Sequence, residues 1–79
     1  MSHITENQMR ENFARNLVIL RQTRTPILSQ RALARVLNIS KYAVNTYECQ
    51  RAAPTAYVVY KVSDYFHIPM ELLLTRTLD

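Results

Sequence analysis

The sequence contains no glycine and no tryptophan, and only one cysteine and three prolines in 79 residues. Without glycine it has no phosphate-cradling loop of the nucleotide-binding type, because such loops need glycine for close backbone approach. The single Cys49 excludes an internal disulfide, and with only His3 and His67 it gives too few ligands for a zinc site. We therefore predict no metal, no cofactor and a reducing, cytoplasmic setting.

Long apolar runs are also absent. No segment approaches the roughly 18–20 apolar residues that a membrane-spanning helix needs. Residues 1–6 have neither the basic flank nor the apolar stretch of a signal peptide. His3 and His67 have no acid placed to form a proton relay, and no hydroxyl has an evident base. We therefore expect no membrane partner, no enzymatic activity and, without an effector domain, no small-molecule ligand.

Positive charge is concentrated in the middle of the chain. Between residues 10 and 51, eight cations and two acids give a net charge of +6. Residues 52–79 carry two cations and three acids, a net charge of −1. A concentration of this kind suits a surface that meets phosphates, although an ordinary solvated basic surface has the same composition.

Apolar residues recur at helical spacing and nowhere alternate as in a strand, which predicts an all-α fold. We treat 1–79 as one domain, with 1–5 as a flexible tail and 70–79 as a C-terminal helix and tail. Capping residues predict where four helices begin: Thr5 (with Gln8 completing a capping box), Ser29, Ser40 and Thr55. The predicted helices cover about 6–24, 30–37, 41–49, 56–66 and the residues from 69 or 70 onward.

Residues 30–49 predict a helix-turn-helix, a motif whose main use is to place its second helix in the major groove of DNA. Small Ala34 fits where the two helices cross, Asn38 tolerates the left-handed backbone of the turn, and Ser40 caps the second helix. Another helix pair could share the apolar spacing, but these three residues together are more restrictive. The apolar side chains expected inside are Leu33, Leu37, Ile39, Val44 and Tyr47.

If Val44 and Tyr47 face inward, the opposite face of the second helix is free to read base edges. The candidate base-reading residues are Ser40, Lys41, Tyr42, Asn45 and Thr46. Asn45 is suited to pair with adenine and Lys41 with guanine, while Tyr42 or Thr46 is suited to a thymine methyl. The alternatives are that Tyr42 packs on its own protein and that Lys41 meets only phosphate.

Other residues are candidates for phosphate contacts. Gln30 lies at the N-terminus of the first motif helix, where free amides favour an anion. Arg31, Arg51 and, through the preceding loop, Arg24 are further candidates, because such contacts need only positive charge and reach.

Two apolar sets lie outside the motif. Tyr57, Tyr60 and Tyr65 suit either a stacking platform for single-stranded nucleic acid, or core packing or a dimer surface; the near-zero local charge favours the second reading. Near the C-terminus, consecutive leucines point several ways around one helix. We predict a dimer surface at Leu72, Leu74 and Leu78, with a loosely covered C-terminus as the alternative.

The sequence resembles the Cro/repressor-type helix-turn-helix domains of phage and bacterial regulators, the XRE type, from about residue 12 to 74. The residues that carry the resemblance are Leu20-Arg21, Leu28-Ser29-Gln30, Leu33-Ala34, Val44, Tyr47-Glu48, Pro54, Phe66-His67-Ile68 and Leu73-Leu74. The resemblance implies a compact five-helix bundle of the lambda-repressor-like type that binds operator DNA, usually as a dimer. It also implies that Arg21 pairs with Glu48 and that Gln30 braces the contact with the DNA backbone.

Three positions depart from the family pattern, since Asn38, Gln50 and His67 stand where the family tends to use glycine. Asn38 is tolerable there, whereas Gln50 and His67 imply helix ends that close differently or carry strain. The function expected from residues and resemblance together is a bacterial or phage-encoded, sequence-specific regulator of transcription, most simply a homodimeric repressor on double-stranded DNA. The alternative is an antitoxin that binds a toxin, or a protein-interaction adaptor, on the same fold.

Overall fold

The computed structural model describes residues 3–79, which form five α-helices and no strand. The helices are α1 (Glu6–Thr23), α2 (Gln30–Leu37), α3 (Lys41–Glu48), α4 (Ala56–Phe66) and α5 (Met70–Thr75). The all-helical prediction is confirmed, and each predicted helix boundary lies within one residue of the observed one; no end was predicted for α5. Residues 1 and 2, part of the predicted tail, lie outside the described residues. Within 3–79, no helix combines the length and apolar character that crossing a membrane requires.

All four predicted caps are present. The hydroxyls of Thr5, Ser29, Ser40 and Thr55 each accept a hydrogen bond, 3.0–3.2 Å long, from the backbone N–H three residues later. The backbone N–H of Thr5 also donates to Gln8 Oε1 at 2.8 Å, which completes the capping box. α2 and α3 have eight residues each. Helices this short are unstable alone, so their caps and their packing define them.

Three helices end in the same way, although none has a glycine. Asn38, Gln50 and His67 follow α2, α3 and α4 with φ of 58°, 62° and 58°. The residue after each of them donates its N–H to a carbonyl five positions back, at 3.0–3.2 Å, as in a Schellman motif. The left-handed turn predicted at Asn38 is confirmed. For Gln50 and His67 the sequence left two alternatives, a different type of helix end or a strained one. The first is wrong: both residues adopt the left-handed conformation that glycine usually takes, and they carry the strain of a β-carbon there.

The core lies where all five helices meet. α1 packs against α3 and α5, and α2 packs against α3 and α4. The Phe13 ring of α1 meets the Tyr47 ring of α3 edge-on, with 6.3 Å between centroids. The radius of gyration is 11.6 Å, as expected for a compact globule of this length. The largest fully buried apolar side chains are Phe13, Leu17, Leu33, Leu37, Leu73, Val44 and Val62.

Asn16 fixes the C-terminal segment to α1. Among the described residues, Asn16 is the one polar residue that is buried as a whole, with 0% of its surface exposed. Its Nδ2 donates to the carbonyls of Leu73 (2.9 Å) and Arg76 (2.6 Å), and its Oδ1 accepts from the Leu78 N–H at 2.8 Å. One turn earlier, Asn12 Nδ2 donates to the Leu74 carbonyl at 2.9 Å. Residues 73–78 are therefore held against α1.

This attachment changes the expectation for the C-terminal leucines. Leu73 is fully buried, and Leu74 and Leu78 pack against the core as partly buried residues. Leu72 is also only partly exposed. The free apolar surface predicted at Leu72, Leu74 and Leu78 is consequently smaller than the sequence pattern indicated, and a dimer contact there stays a prediction.

Candidate nucleic-acid interface

α3 presents one face to the core and the other to solvent. Val44 is fully buried and Tyr47 packs against the core, as predicted. Lys41 and Tyr42, in the first turn, are exposed. Tyr42 is 76% exposed, so the alternative that it packs on its own protein is wrong.

The start of α2 and the outer face of α3 enclose a shallow surface depression. Gln30, Lys41, Tyr42 and Asn45 line it, so the structure brings together the predicted phosphate residue of α2 and three predicted base-reading residues of α3. The Lys41 ammonium and the Tyr42 hydroxyl are both able to donate hydrogen bonds, and the Asn45 amide can both donate and accept. The depression thus brings polar groups of two helices together.

The two remaining base-reading candidates lie around this depression. Ser40 is exposed, and its Oγ accepts from the Ala43 N–H at 3.0 Å as the cap of α3. Thr46 is half-buried, and its carbonyl accepts from the Arg51 N–H at 3.0 Å. Thr46 therefore presents less of its side chain to solvent than Lys41 or Tyr42 does.

An ion pair joins α1 to the last turn of α3. Arg21 Nε donates to Glu48 Oε2 at 2.8 Å, and Arg21 Nη2 donates to Glu48 Oε1 at 2.9 Å. The two side chains are 14% and 6% exposed, so the pair is largely withdrawn from water. The pairing that the family resemblance implied is confirmed.

Gln30 extends this ion pair to the surface. Its Nε2 donates to Glu48 Oε1 at 2.9 Å, which turns its own Oε1 toward α3. Asn45 Nδ2 lies 3.5 Å from that oxygen, the long limit of a hydrogen bond. This contact is weak, and it leaves the Oδ1 and one N–H of Asn45 without a partner in the described part of the chain. The contacts of Gln30 with Glu48 and Asn45 were not predicted from the sequence. The available signal was that residues 45 and 48 are three apart, so their side chains lie close together on one side of α3.

Arg21 also positions the N-terminus of α2. Its Nη1 donates to the Leu28 carbonyl at 3.2 Å, while its own carbonyl accepts from the Leu28 N–H at 2.9 Å. Leu28 immediately precedes Ser29, the cap of α2, and Gln30. A single arginine thus fixes the relative positions of α1, the start of α2 and the end of α3.

Three cations surround this arrangement without an ionic partner. In residues 3–79 the one ion pair is Arg21 with Glu48, so Arg31, Lys41 and Arg51 are all unpaired, and all three are exposed. Arg24 differs, because its Nη2 donates to the Phe66 carbonyl at 3.1 Å and its guanidinium lies 5.0 Å from the Phe66 ring centroid. Arg24 therefore caps the end of α4, and its predicted phosphate contact competes with that role.

Two further observations concern the cysteine and possible metal ligands. Cys49 is exposed directly after α3. No group of three or more metal-binding side chains occurs within the part of the chain that the structure describes.

Comparison with known proteins gave no match: no family model, no curated protein and no solved structure matches this chain.

Proposed function

We propose that this chain is a sequence-specific, double-stranded-DNA-binding regulator of transcription. In this proposal α2 and α3 form a helix-turn-helix of the lambda-repressor-like type, and α3 is the recognition helix that enters the major groove. The observation that carries the proposal is the outward face of α3, which bears Lys41, Tyr42 and Asn45. The hydrogen bonds that Glu48 accepts from Arg21 and Gln30 hold the last turn of α3 in place. A homodimeric repressor on a two-fold operator is the simplest form of such a regulator.

The size of α3 supports this role. An α-helix with its side chains is about 10–12 Å across, which fits the roughly 12 Å width of the major groove, and the eight residues of α3 make it about 12 Å long. Its first turn bears the most exposed side chains, Lys41 and Tyr42. Recognition helices make their base contacts mainly from their N-terminal residues, so these side chains stand at the end that enters deepest.

The state of the Asn45 amide supports base reading. Recognition of adenine requires one side-chain N–H for N7 and one carbonyl oxygen for the N6 amino group. Asn45 retains both, because its one side-chain hydrogen bond within residues 3–79, with Gln30 at 3.5 Å, uses a single N–H. A bidentate contact of this kind contributes about 1–3 kcal/mol of discrimination against a wrong base.

The surrounding cations supply affinity that does not depend on sequence. Arg31 begins α2 together with Gln30, and Arg51 follows α3, so the exposed charges lie on both sides of the recognition helix along the chain. Contacts of such residues with phosphates fix the position of a protein on the duplex without reading bases.

A selection of bound duplexes from a random pool tests the proposal. We expect the wild-type chain to enrich one palindrome whose half-sites are about 10–10.5 base pairs apart, one helical turn. Asn45→Ala should lose the preference at one position of each half-site, because it removes the amide that reads it. Arg51→Ala should weaken binding to all sequences by a similar factor, because it removes only a phosphate contact.

Asn7→Ala, which removes an exposed amide from α1, is the matched control and should leave both affinity and preference unchanged. Equal binding of all duplexes by the wild-type chain, or an unaltered preference in Asn45→Ala, would contradict the proposal. Absence of any preferred duplex together with tight retention of a protein partner would support the antitoxin or adaptor alternative instead.

A further inference from the structure

α4 carries an exposed aromatic face that the proposed interface does not use. Tyr57, Tyr60 and Tyr65 are 50%, 54% and 44% exposed. Core packing, one of the roles that the sequence left open for these residues, is therefore wrong. Large aromatic rings that remain half in water on one side of a helix are typical of a surface that binds a macromolecule.

The charges on this face are balanced. Lys61 and Asp64 lie between the tyrosines, one turn apart on the same side of α4. Neither is in an ion pair within residues 3–79, where Arg21 and Glu48 form the one such pair. The Lys61 ammonium lies 6.0 Å from the centroid of the Tyr57 ring. A platform for single-stranded nucleic acid needs an excess of cations beside its rings, which one lysine and one aspartate do not provide.

We propose that this face of α4 binds the same face of a second copy, with the two α4 helices antiparallel about a two-fold axis. The tyrosine face is defined as Tyr57, Tyr60, Lys61, Asp64 and Tyr65. Antiparallel pairing centred between residues 61 and 64 reverses the order of charges in one helix relative to the other. Each Lys61 then lies level with Asp64 of the other copy, and both unpaired charges gain an opposite neighbour. Tyr60 and Tyr65 project on opposite sides of this central stripe and cover it from both flanks.

The area of the face predicts a weak dimer. If a tyrosine offers about 200 Å² in full, three half-exposed tyrosines offer about 300 Å² per chain. A standard stable interface buries about 800 Å² per partner. The three tyrosines thus offer less than half of that area, so we expect weak association that depends strongly on protein concentration. The proposed pairing through α4 rests on the proposed function only in that a two-fold operator would hold two such copies together.

Sedimentation equilibrium of the full chain, without DNA, tests the pairing. Lys61→Glu places acid opposite acid, and Asp64→Lys places base opposite base, so each variant alone should dimerise about tenfold more weakly than wild type or worse. An equimolar mixture of the two variants should regain at least wild-type association as a heterodimer. In the heterodimer, the acid introduced by Lys61→Glu faces the base introduced by Asp64→Lys, so the mixture alone restores attraction. Misfolding cannot explain a loss that mixing reverses, because misfolded variants would not regain association.

Arg15→Glu and Glu11→Lys make the same changes of charge on exposed positions of α1 and are the matched controls. They should leave the dimerisation constant unchanged, alone and mixed. A wild-type chain that stays monomeric at millimolar concentration would overturn the inference. So would a dimer that tolerates Lys61→Glu but is lost in Leu72→Glu, because that result would place the contact at α5.

The outcome is separable from that of the proposed function. A chain that selects a preferred duplex but stays monomeric, or whose dimer ignores the charge changes, overturns the pairing through α4 and leaves DNA recognition by α3 intact. A dimer that follows the charge changes but prefers no duplex supports the pairing and contradicts DNA recognition.

Discussion

Glu48 accepts hydrogen bonds from two different helices although it is only 6% exposed. Two of its donors belong to Arg21 on α1, and the third is the Gln30 amide at the start of α2. The carboxylate therefore balances a largely buried guanidinium and also holds the Gln30 amide, whose Oε1 lies 3.5 Å from Asn45 Nδ2. Removal of one member of such a pair costs more than the pair contributes, because it leaves the other charge buried without compensation.

Glu48→Ala should lower the free energy of unfolding by about 3 kcal/mol, because the Arg21 guanidinium loses its counter-charge. In a domain of this size that corresponds to a fall of more than about 10 °C in melting temperature, measured by circular dichroism. Glu11→Ala, on the exposed face of α1, is the matched control and should change little. An unchanged melting temperature in Glu48→Ala would show that the pair does not support the fold.

Some contacts of individual residues were predictable from the sequence, and others were not. The pairing of Arg21 with Glu48 was available from a family resemblance, and the outward face of α3 from helical spacing. Asn16 was not recognised, because its hydrogen bonds reach carbonyls and an N–H some 57–62 positions away. An asparagine within the apolar stripe that includes Phe13 and Leu17 was the one available signal, since a buried amide needs partners.

The individual helices were predicted most accurately, because their ends are encoded locally. A cap hydroxyl and the amide that it binds are three residues apart, so Ser29 and Ser40 specify the starts of α2 and α3 without knowledge of the rest of the fold. The turns that close the helices are equally local. Contacts between helices are not, which explains why the exposure of α5 was overestimated and the aromatic face of α4 was left undecided.

The strain at the helix ends predicts two stabilising substitutions. Gln50→Gly and His67→Gly should each raise the free energy of unfolding by about 1 kcal/mol. A β-carbon disfavours the left-handed backbone by about 1–2 kcal/mol, and glycine removes that cost. Part of the gain is lost, because glycine also raises the conformational entropy of the unfolded chain. Chemical denaturation measures the change. Arg35→Gly, at an exposed position inside α2, is the control and should lower stability by a similar amount. Destabilisation by His67→Gly would contradict the assigned backbone conformation.

Across the whole molecule, positive charge is separated from the C-terminal half. Residues 10–51 carry a net charge of +6 and residues 52–79 a net charge of −1. In the proposed complex with DNA, this positive charge would attract the polyanion and raise the rate of association at low ionic strength.

The salt dependence of DNA binding should therefore be steep. If two copies together neutralise about six phosphates through residues such as Arg31, Lys41 and Arg51, affinity falls about a thousandfold between 50 and 200 mM salt. Fluorescence anisotropy with a labelled duplex measures the slope. Arg31→Ala should flatten it, whereas Arg76→Ala, an exposed arginine in the C-terminal half, should not. Equal slopes for the two variants would show that the charge is not directed at DNA.

Cys49 is exposed directly after α3, and it is the single thiol of the sequence. A spin label attached through it therefore marks one point per chain, beside the helix that we propose as the recognition helix. In a two-fold complex on an operator, two such labels would be separated by roughly the pitch of the double helix, about 34 Å. Pulsed electron paramagnetic resonance measures distances of this size. The distance between two labels on Cys49 would therefore report how the two copies are arranged.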